Sequence, residues 1–402
     1  MGPIALFDKS FLQSLSLDES VWFDHFFLAN VCPIFYAETQ SDLAKEDCKN
    51  ITREELVQRI ADRFPGSSGS PNVHHVMMCT ASLLGEKVPL RPQVVLPRGC
   101  EGTISGHLLS VLPESAEAKA FLRWAQRLYE EEERQAAAEW RQHSFGRDTA
   151  MVMAYLKDRK LFEETPCATL LDVRTVTDEL LRRLRPDQQL TLALQLLGVN
   201  EKYVEQIVVR FYNAGEPGLT QFASYVAFVL RIELFFHISV HKGRLNVSHR
   251  MDITYLFYLP FCQFFVSGDR VHQNCAPLFL RDDQEFIWGP HLKEALKTLN
   301  ARYSALPGED RRKAVHQIAP TPPTEGDNLV TKLWDRHWPT WRAPGESSLE
   351  TMNELGFWTK QLPAIKKIAK SDGDGPLPPG SPFDAIVYKR TVPRKKGSWH
   401  LV

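Results

Sequence analysis

The sequence predicts an α/β protein in which a mostly parallel central sheet is flanked by helices. Short apolar runs alternate with amphipathic segments over residues 1–96, and the same pattern returns over residues 219–300. Residues 113–213 are rich in Ala, Glu and Arg at helical spacing, which indicates an all-helical insertion. We therefore expect one discontinuous α/β core, interrupted by helices and followed by a Pro-rich extension with a basic tail over residues 301–402.

The individual elements are predicted in chain order from their apolar spacing and their caps. IALF, at residues 4–7, predicts a short buried strand, and SLDES then begins a helix over residues 16–30 because it offers a cluster of N-cap residues. CPIFYA, at residues 32–37, predicts the second strand. QFFVSG, at residues 263–268, predicts a later strand, followed by a helix around residues 292–306.

Composition limits the classes of function. With 43% hydrophobic and 24% charged residues, the chain is typical of a globular protein. Its formal net charge of −1 gives no global basic field, so any contact with nucleic acid must come from local basic patches. The seven cysteines form no CxxC pair, which favours buried thiols in a reducing cytoplasm.

Two apolar stretches raise the question of targeting. The N-terminal stretch is interrupted by Asp8 and Lys9, so we expect no signal peptide there. The run over residues 219–240 is nearly long enough to span a membrane, but Arg231 and Glu233 lie inside it. A buried core helix is the prediction. Each charged residue is expected to have an ion-pair partner or to line an acidic site.

Four acidic residues lie where predicted strands give way to loops or helices. Asp8 closes IALF, Glu38 follows CPIFYA, Asp252 begins the apolar segment DITYLFYLPFC, and Asp269 closes CQFFVSGD. Ligands of open α/β sheets bind at the carboxyl ends of the strands. Four carboxylates gathered there repel one another unless a divalent cation lies between them, and oxygen ligands suit Mg²⁺ or Mn²⁺. The sequence therefore predicts metal-assisted phosphodiester chemistry.

In order along the chain, these motifs resemble those of the PIN-domain nuclease superfamily. LFDKS matches the family's opening strand that ends in Asp with Ser, Thr or Asn two residues later, here Ser10. Glu38 in IFYAETQSDL, Asp252 in MDITYLFYLP and Asp269 in FFVSGD match the family's second, third and fourth acids. The resemblance covers residues 1–96 and 219–300. It implies a Mg²⁺- or Mn²⁺-dependent nuclease, more suited to RNA than to DNA, with these four acids as catalytic metal ligands.

Three further residues are candidates for accessory roles, and each has a structural alternative. Ser10 either supports the Asp8 carboxylate or simply caps a helix. Asp42, four residues after Glu38, is either an accessory ligand or an ion-pair partner of Lys45 or Lys49. His272 either reaches a phosphate or lies in a surface loop.

Two groups of basic residues are candidates for contacts with a phosphate backbone. The first group lies in the helical stretch and the second in the C-terminal tail: Arg182, Arg183 and Arg185, and Lys389, Arg390, Arg394, Lys395 and Lys396. For the group in the helical stretch, a solvated helix face is the stronger alternative.

The alternative function is a catalytically inactive PIN-like scaffold that binds RNA or protein. In that case the helices of residues 113–213 form the surface for a protein partner. No membrane partner is expected, and the oligomeric state stays open. Ser10 stands where an aspartyl-phosphate phosphatase has its second Asp, which argues against that mechanism, and no Walker loop, HExxH or GxSxG motif occurs.

Overall fold

A five-stranded parallel sheet forms the centre of the molecule, in the order β3-β2-β1-β6-β7. The computed structural model describes residues 2–45, 51–97, 99–143, 149–162, 164–342, 360–370 and 385–402. The strands are β1 (Ile4–Phe7), β2 (Leu28–Val31), β3 (Ser70–Pro71), β4 (Cys100–Ile104), β5 (His107–Leu112), β6 (Phe264–Ser267), β7 (Glu285–Trp288), β8 (Ala385–Tyr388), β9 (Lys395–Lys396) and β10 (Trp399–His400).

Helices cover the sheet and make up most of the remaining described chain. Those before β6 are α1 (Lys9–Ser14), α2 (Leu17–Phe26), α3 (Pro33–Ser41), α4 (Arg53–Ala61), α5 (His75–Leu84), α6 (Ala116–Ala125), α7 (Glu131–His143), α8 (Thr149–Asp158), α9 (Leu170–Arg183), α10 (Pro186–Leu196), α11 (Val204–Asn213), α12 (Leu219–Phe222), α13 (Ser224–His241) and α14 (Arg250–Tyr255). Those after β6 are α15 (Arg270–Cys275), α16 (Gly289–Ser304), α17 (Val315–Ile318), α18 (Leu329–His337) and α19 (Leu362–Ile368). Short 3-10 helices occur at Asp42–Ala44, Glu201–Tyr203, Val247–His249, Leu256–Phe261, Ala276–Leu278, Asp310–Arg312 and Pro339–Arg342.

Strand β1 joins the segments of residues 1–96 and 219–300 in one sheet. On one side Ile4 pairs with Leu28 of β2, and on the other Ala5 pairs with Phe264 of β6, both in parallel. Three of its four residues are fully buried, which explains its uninterrupted apolar sequence. The α/β fold class with a parallel central sheet is as predicted.

The predicted second strand was placed too late in the chain. Strand β2 is LANV at Leu28–Val31, and CPIFYA instead contributes the first turns of α3. Pro33 occupies the first turn of α3, where its fixed φ favours a helix and its missing N–H leaves no donor unsatisfied. The preceding helix is also shorter than predicted: it begins with the expected Ser16 cap but ends at Phe26.

A second, three-stranded sheet was not predicted. Strands β4 and β5 form an antiparallel hairpin, and β8 from the C-terminal part of the chain adds to β5 in parallel. Ser105 and Gly106 connect the hairpin, both with positive φ, as a two-residue hairpin turn requires. The C-terminal region therefore contributes to this sheet.

The described part of residues 113–213 contains only helices, and these pack on the main body. Helices α6 and α7 lie against α4 and α3, while α8 and α9 lie against α13. Their buried residues belong to the same hydrophobic core as the central sheet.

Helix α13 is long and apolar enough to cross a membrane by length and composition alone, and core helices pass the same test. Of its residues, 67% are buried inside the protein. Its two charged residues have partners, as expected: Arg231 lies 3.0 Å from Asp178, and Glu233 pairs with Arg250. The six described cysteines are free and buried, also as expected. Cys48 and residues 371–384 of the predicted Pro-rich extension lie outside the described residues.

Candidate metal and catalytic site

Asp8 lies directly after β1 and caps α1. Its Oδ1 accepts the backbone N–H of Phe11 at 3.0 Å, and its Oδ2 accepts the hydroxyl of Ser10 at 2.7 Å. Ser10 Oγ also accepts the N–H of Gly268 at 3.0 Å, which ties the end of β6 to the end of β1. Ser10 therefore supports the Asp8 carboxylate and does not act as the cap of the helix.

His272 and Ser267 complete the surroundings of Asp8. Ser267 donates its hydroxyl to Asp8 Oδ2 at 2.8 Å. The Nδ1 atom of His272 lies 2.8 Å from Ser267 Oγ and 3.3 Å from Asp8 Oδ2, and its Nε2 lies 2.8 Å from the backbone carbonyl oxygen of Asp252. His272 is 1% exposed, so the alternative that placed it in a surface loop was wrong.

The charges of this cluster shift its pKa values. Burial alone lowers the pKa of His272, but Asp8 and Asp252 outweigh burial and raise this pKa to about 9. Burial raises the pKa of the Asp8 carboxyl, yet the hydrogen bond and charge of His272 and the hydrogen bonds from Ser10 and Phe11 leave it below its ordinary value. His272 and Asp8 therefore stabilise each other's charged forms.

Glu38 lies on α3, one strand away from Asp8, and both of its carboxylate oxygens have protein donors. Lys9 Nζ lies 3.1 Å from Oε1, and the hydroxyl of Tyr255 donates to Oε2 at 2.6 Å. Tyr255 belongs to the same helix, α14, as Asp252. Helix α14, which precedes β6, therefore orients Glu38, which follows β2.

Asp42 forms a buried ion network behind Glu38. Its carboxylate lies 3.1 Å from Lys9 Nζ and 2.6 Å from Lys45 Nζ, and Asp42 itself is 1% exposed. The ion-pair alternative therefore describes Asp42, with Lys45 as expected and Lys9 as a second partner. Lys49 lies outside the described residues.

Asp252 and Asp269 keep carboxylate oxygens without a protein donor. Within the described ranges, the Asp252 carboxylate accepts no hydrogen bond from the protein, and Asp269 uses only Oδ1, which accepts the N–H of Val271 at 2.6 Å. Asp269 thereby caps α15, directly after β6. These two residues carry the carboxylate oxygens that are most open to a ligand.

The four predicted acids act on one another electrostatically. The pKa of Asp252 is raised to about 7: burial is the largest cause, the charge of His272 opposes it, and the charges of Asp269, Glu38 and Asp8 add to it. In the network as a whole, five carboxylates (the four acids and Asp42) face three cations, Lys9, Lys45 and His272. When Asp252 is ionised, the network has a net charge of −2, which one divalent cation would neutralise.

The chemistry of this donor set fits a hard divalent cation, because every candidate ligand is a carboxylate oxygen. In their present positions, however, no three His, Cys, Asp or Glu side chains of the described residues lie close enough together to hold one metal ion. The carboxylates of Asp8 and Glu38 do not converge with the other acids because their oxygens are directed to protein donors.

Comparison of the chain with protein-family models, with curated proteins and with solved structures gave no match.

The candidate basic residues lie outside this cluster. Arg182, Arg183 and Arg185 are exposed on the helical stretch, which agrees with a solvated helix face, and Arg185 pairs with Asp187 at 3.0 Å. In the tail, Lys389, Arg394 and Lys395 are exposed, whereas Arg390 and Lys396 are partly buried.

A cavity of about 510 Å³ lies elsewhere, between α6, the end of α4 and the C-terminal segment around β9. None of the four acids lines it. The carboxylate cluster and this cavity are therefore two separate features of the molecule.

Sequence reasoning missed three members of the carboxylate cluster. Lys9 is adjacent to Asp8 in the sequence, but nothing in LFDKS indicates that its side chain turns back to Glu38. Tyr255 lies in an apolar run typical of core packing. Ser267 was visible only as the Ser of the Ser-x-Asp motif that ends at Asp269.

Proposed function

We propose that the protein is a Mg²⁺- or Mn²⁺-dependent nuclease with a PIN-like core, acting on RNA in preference to DNA. The observation that carries the proposal is that Asp8 and Asp269 follow the ends of the adjacent parallel strands β1 and β6, and that His272 contacts both Asp8 and the backbone of Asp252. The motif order along the chain supports the PIN-like core, and the preference for RNA follows from the same resemblance.

The roles of the residues follow from their contacts. Asp252 and Asp269 would hold the ion through their open oxygens, together with Asp8 and Glu38. Ser10 and Ser267 orient Asp8, while Lys9 and Tyr255 orient Glu38. A bound divalent ion supplies a water of lowered pKa and offsets charge on the leaving oxygen, so that no protein nucleophile is needed.

The test is cleavage of a panel of single-stranded, structured and transfer RNAs, with matched DNA strands, in Mg²⁺, Mn²⁺ or EDTA. We expect Asp252→Asn to abolish cleavage without unfolding the protein, because the amide keeps the shape and removes a charge that holds the ion. Asp282→Asn is the matched control, since Asp282 is exposed outside the cluster. Cleavage by Asp252→Asn at the wild-type rate would rule out Asp252 as a ligand and with it this assignment.

The second candidate function is a binding scaffold without catalysis. The observation that favours it is that the oxygens of Asp8 and Glu38 already have protein donors. Absence of RNA and DNA cleavage, together with absence of Mn²⁺ binding in calorimetry, would support the scaffold over the nuclease.

A further inference from the structure

The 510 Å³ cavity has an apolar wall. The rings of Phe64 and Phe121 both line it and stack with their centroids 4.2 Å apart and their planes 11° apart. Leu112, Leu122 and Leu401 extend the apolar surface. A cavity of this volume with mostly apolar walls is in the range that proteins use for small-molecule ligands.

One side of this cavity carries the ammonium group of Lys396. Its Nζ donates to the backbone carbonyl oxygen of Phe64 at 3.0 Å, and no carboxylate of the described residues lies within 4 Å of it. An ammonium group has three N–H donors, so this contact leaves two of them for a ligand. Burial lowers the pKa of Lys396 to about 8, as expected for a cation without a close counter-ion.

Arg390 adds a second positive charge to the cavity wall. Its guanidinium donates to the carbonyl oxygen of Ser67 and to Ser70 Oγ at 3.1 Å, and it lies 4.7 Å from the centre of the Tyr388 ring. Within the described part of the chain, these partners are neutral and no carboxylate lies within 4 Å of the guanidinium. Both cations therefore keep their charge available to a bound anion.

Four carboxylates line the cavity, and two of them accept hydrogen bonds from neighbouring residues. They are Asp24, Asp62, Glu114 and Glu117. Asp24 accepts the N–H groups of the Ser67–Ser68 backbone, and Glu114 accepts the N–H and hydroxyl of Thr391. Burial raises the pKa of Asp62, while the charges of Arg63, Lys396 and Arg127 lower it. The wall thus has equal numbers of acidic and basic residues but does not neutralise Lys396 at short range.

The position of Lys396 is fixed by the hairpin of β9 and β10. Trp399 packs edge-on against Trp22, with centroids 4.8 Å apart, and its indole N–H donates to Asn300 at 2.9 Å. The N–H of Ser398 donates to Asp18 at 2.7 Å. The cation is therefore held in place before a ligand arrives, which reduces the entropy cost of binding.

We propose that this cavity binds a small organic anion, with an apolar body against Phe64 and the neighbouring leucines and its acidic group paired with Lys396 beside Arg390. The proposal does not depend on the nuclease function, because none of the four acids lines the cavity.

The test compares two fluorescent probes on the full chain: 1-anilinonaphthalene-8-sulfonate and its uncharged analogue N-phenyl-1-naphthylamine. We expect Lys396→Met to weaken sulfonate binding at least about tenfold, because a hydrogen-bonded ion pair is lost. The affinity for the uncharged probe should change less than about threefold, since the apolar wall is intact. Lys396→Arg should keep the sulfonate affinity. Lys297→Met should do so as well, because Lys297 is exposed on α16 and pairs with Glu294.

Ala118→Trp tests the location, because Ala118 lines the cavity and the indole would fill it. This variant should lose both probes. The proposal is overturned if the wild type binds neither probe, if Lys396→Met binds the sulfonate as the wild type does or loses both probes equally, or if Ala118→Trp binds both unchanged. Near-ultraviolet circular dichroism verifies the fold, and Lys396→Gln replaces the Met variant if that variant unfolds.

Discussion

Lys9 lies between two carboxylates and limits how strongly the site can attract a cation. Its ammonium group contacts Glu38 Oε1 and Asp42, and only 8% of the residue is exposed. A unit charge still contributes about 2 kcal/mol at roughly 8 Å with an effective dielectric constant of about 20. The residue therefore acts against a divalent ion while it holds Glu38 in place.

Lys9→Met is expected to raise the affinity for Mn²⁺ at least about tenfold, because it removes this charge and frees an oxygen of Glu38. Isothermal titration calorimetry on the full chain measures the effect. Lys45→Met is the control, since Lys45 also pairs with Asp42 but has no contact with Glu38 among its described ion pairs. Equal or weaker Mn²⁺ binding in Lys9→Met than in Lys45→Met would contradict the role of Lys9.

Lys396 is expected to make the stability of the protein depend on pH, and comparison with Lys396→Met isolates this contribution. Burial lowers its pKa in the folded protein to about 8, from an ordinary value of 10.5. Between these values the unfolded chain binds the proton and the folded protein does not, so stability rises with pH. The Tm of the wild type should therefore increase relative to that of Lys396→Met from pH 8 to pH 10.5. A difference in Tm that is constant over this range would contradict the lowered pKa.

At the scale of residues, the sequence could predict acids at strand ends but not their partners. The place of Asp8 follows from the apolar run before it and the parallel sheet around it. The place of His272 does not, because a histidine five residues after the end of a strand has no local signal for burial. Its burial depends on contacts with Ser267, Asp8 and Asp252, which come together only in the folded chain.

At the scale of elements, local signals compete where a strand meets a helix. CPIFYA has the aromatic and β-branched residues that favour a strand, but Pro33 begins a helix there. LANV has weaker strand propensity, and its pairing with β1 makes it a strand. The buried Asn30 reinforces this pairing by donating to the carbonyl oxygen of Phe261 at 3.0 Å, next to β6.

The central position of β1 predicts that the N-terminal segment cannot fold alone. A fragment of residues 1–96 contains β1, β2 and β3 but lacks β6, and it exposes Phe27, whose ring packs on Phe264. Too little apolar surface is then buried to offset the chain entropy. We expect this fragment to be insoluble or molten, with no near-ultraviolet circular dichroism signal and no cooperative melt. A monodisperse fragment that melts cooperatively would contradict the discontinuous core.

At the scale of the whole molecule, the hydrophobic pattern of the sequence predicts the parallel sheet. It does not predict that residues 113–213 share one hydrophobic core with that sheet. Alternating apolar runs and amphipathic helices over residues 1–96 and 219–300 are enough to predict the sheet. The addition of β8 to the hairpin of β4 and β5 joins segments far apart in the chain, and no local pattern marks that pairing. The separation of residues 113–213 as an inserted unit stays a prediction, because their buried residues share the core of the sheet.

Binding of a divalent ion should stabilise the whole fold. Burial and, after it, the like charges of Asp269, Glu38 and Asp8 raise the pKa of Asp252 to about 7. An ion that binds only the folded state stabilises it by about 2.7 kcal/mol at a hundred times Kd, which is a few degrees in Tm for a chain of this length. Mn²⁺ should act at lower concentration than Mg²⁺. Thermal melts at pH 7.5 with EDTA, Mg²⁺ or Mn²⁺ measure the shift.

The double variant Asp8→Asn, Asp269→Asn is the decisive comparison in these melts. Asn caps a helix about as well as Asp, so α1 and α15 keep their N-caps while the cluster loses two charges. The variant should be less stable than the wild type in EDTA, because Asp8→Asn removes the charge with which His272 pairs. Its Tm should then be insensitive to Mn²⁺. Equal shifts in both proteins would place the ion at another site, and the absence of a shift in either, together with the absence of cleavage, would favour the binding scaffold over the nuclease.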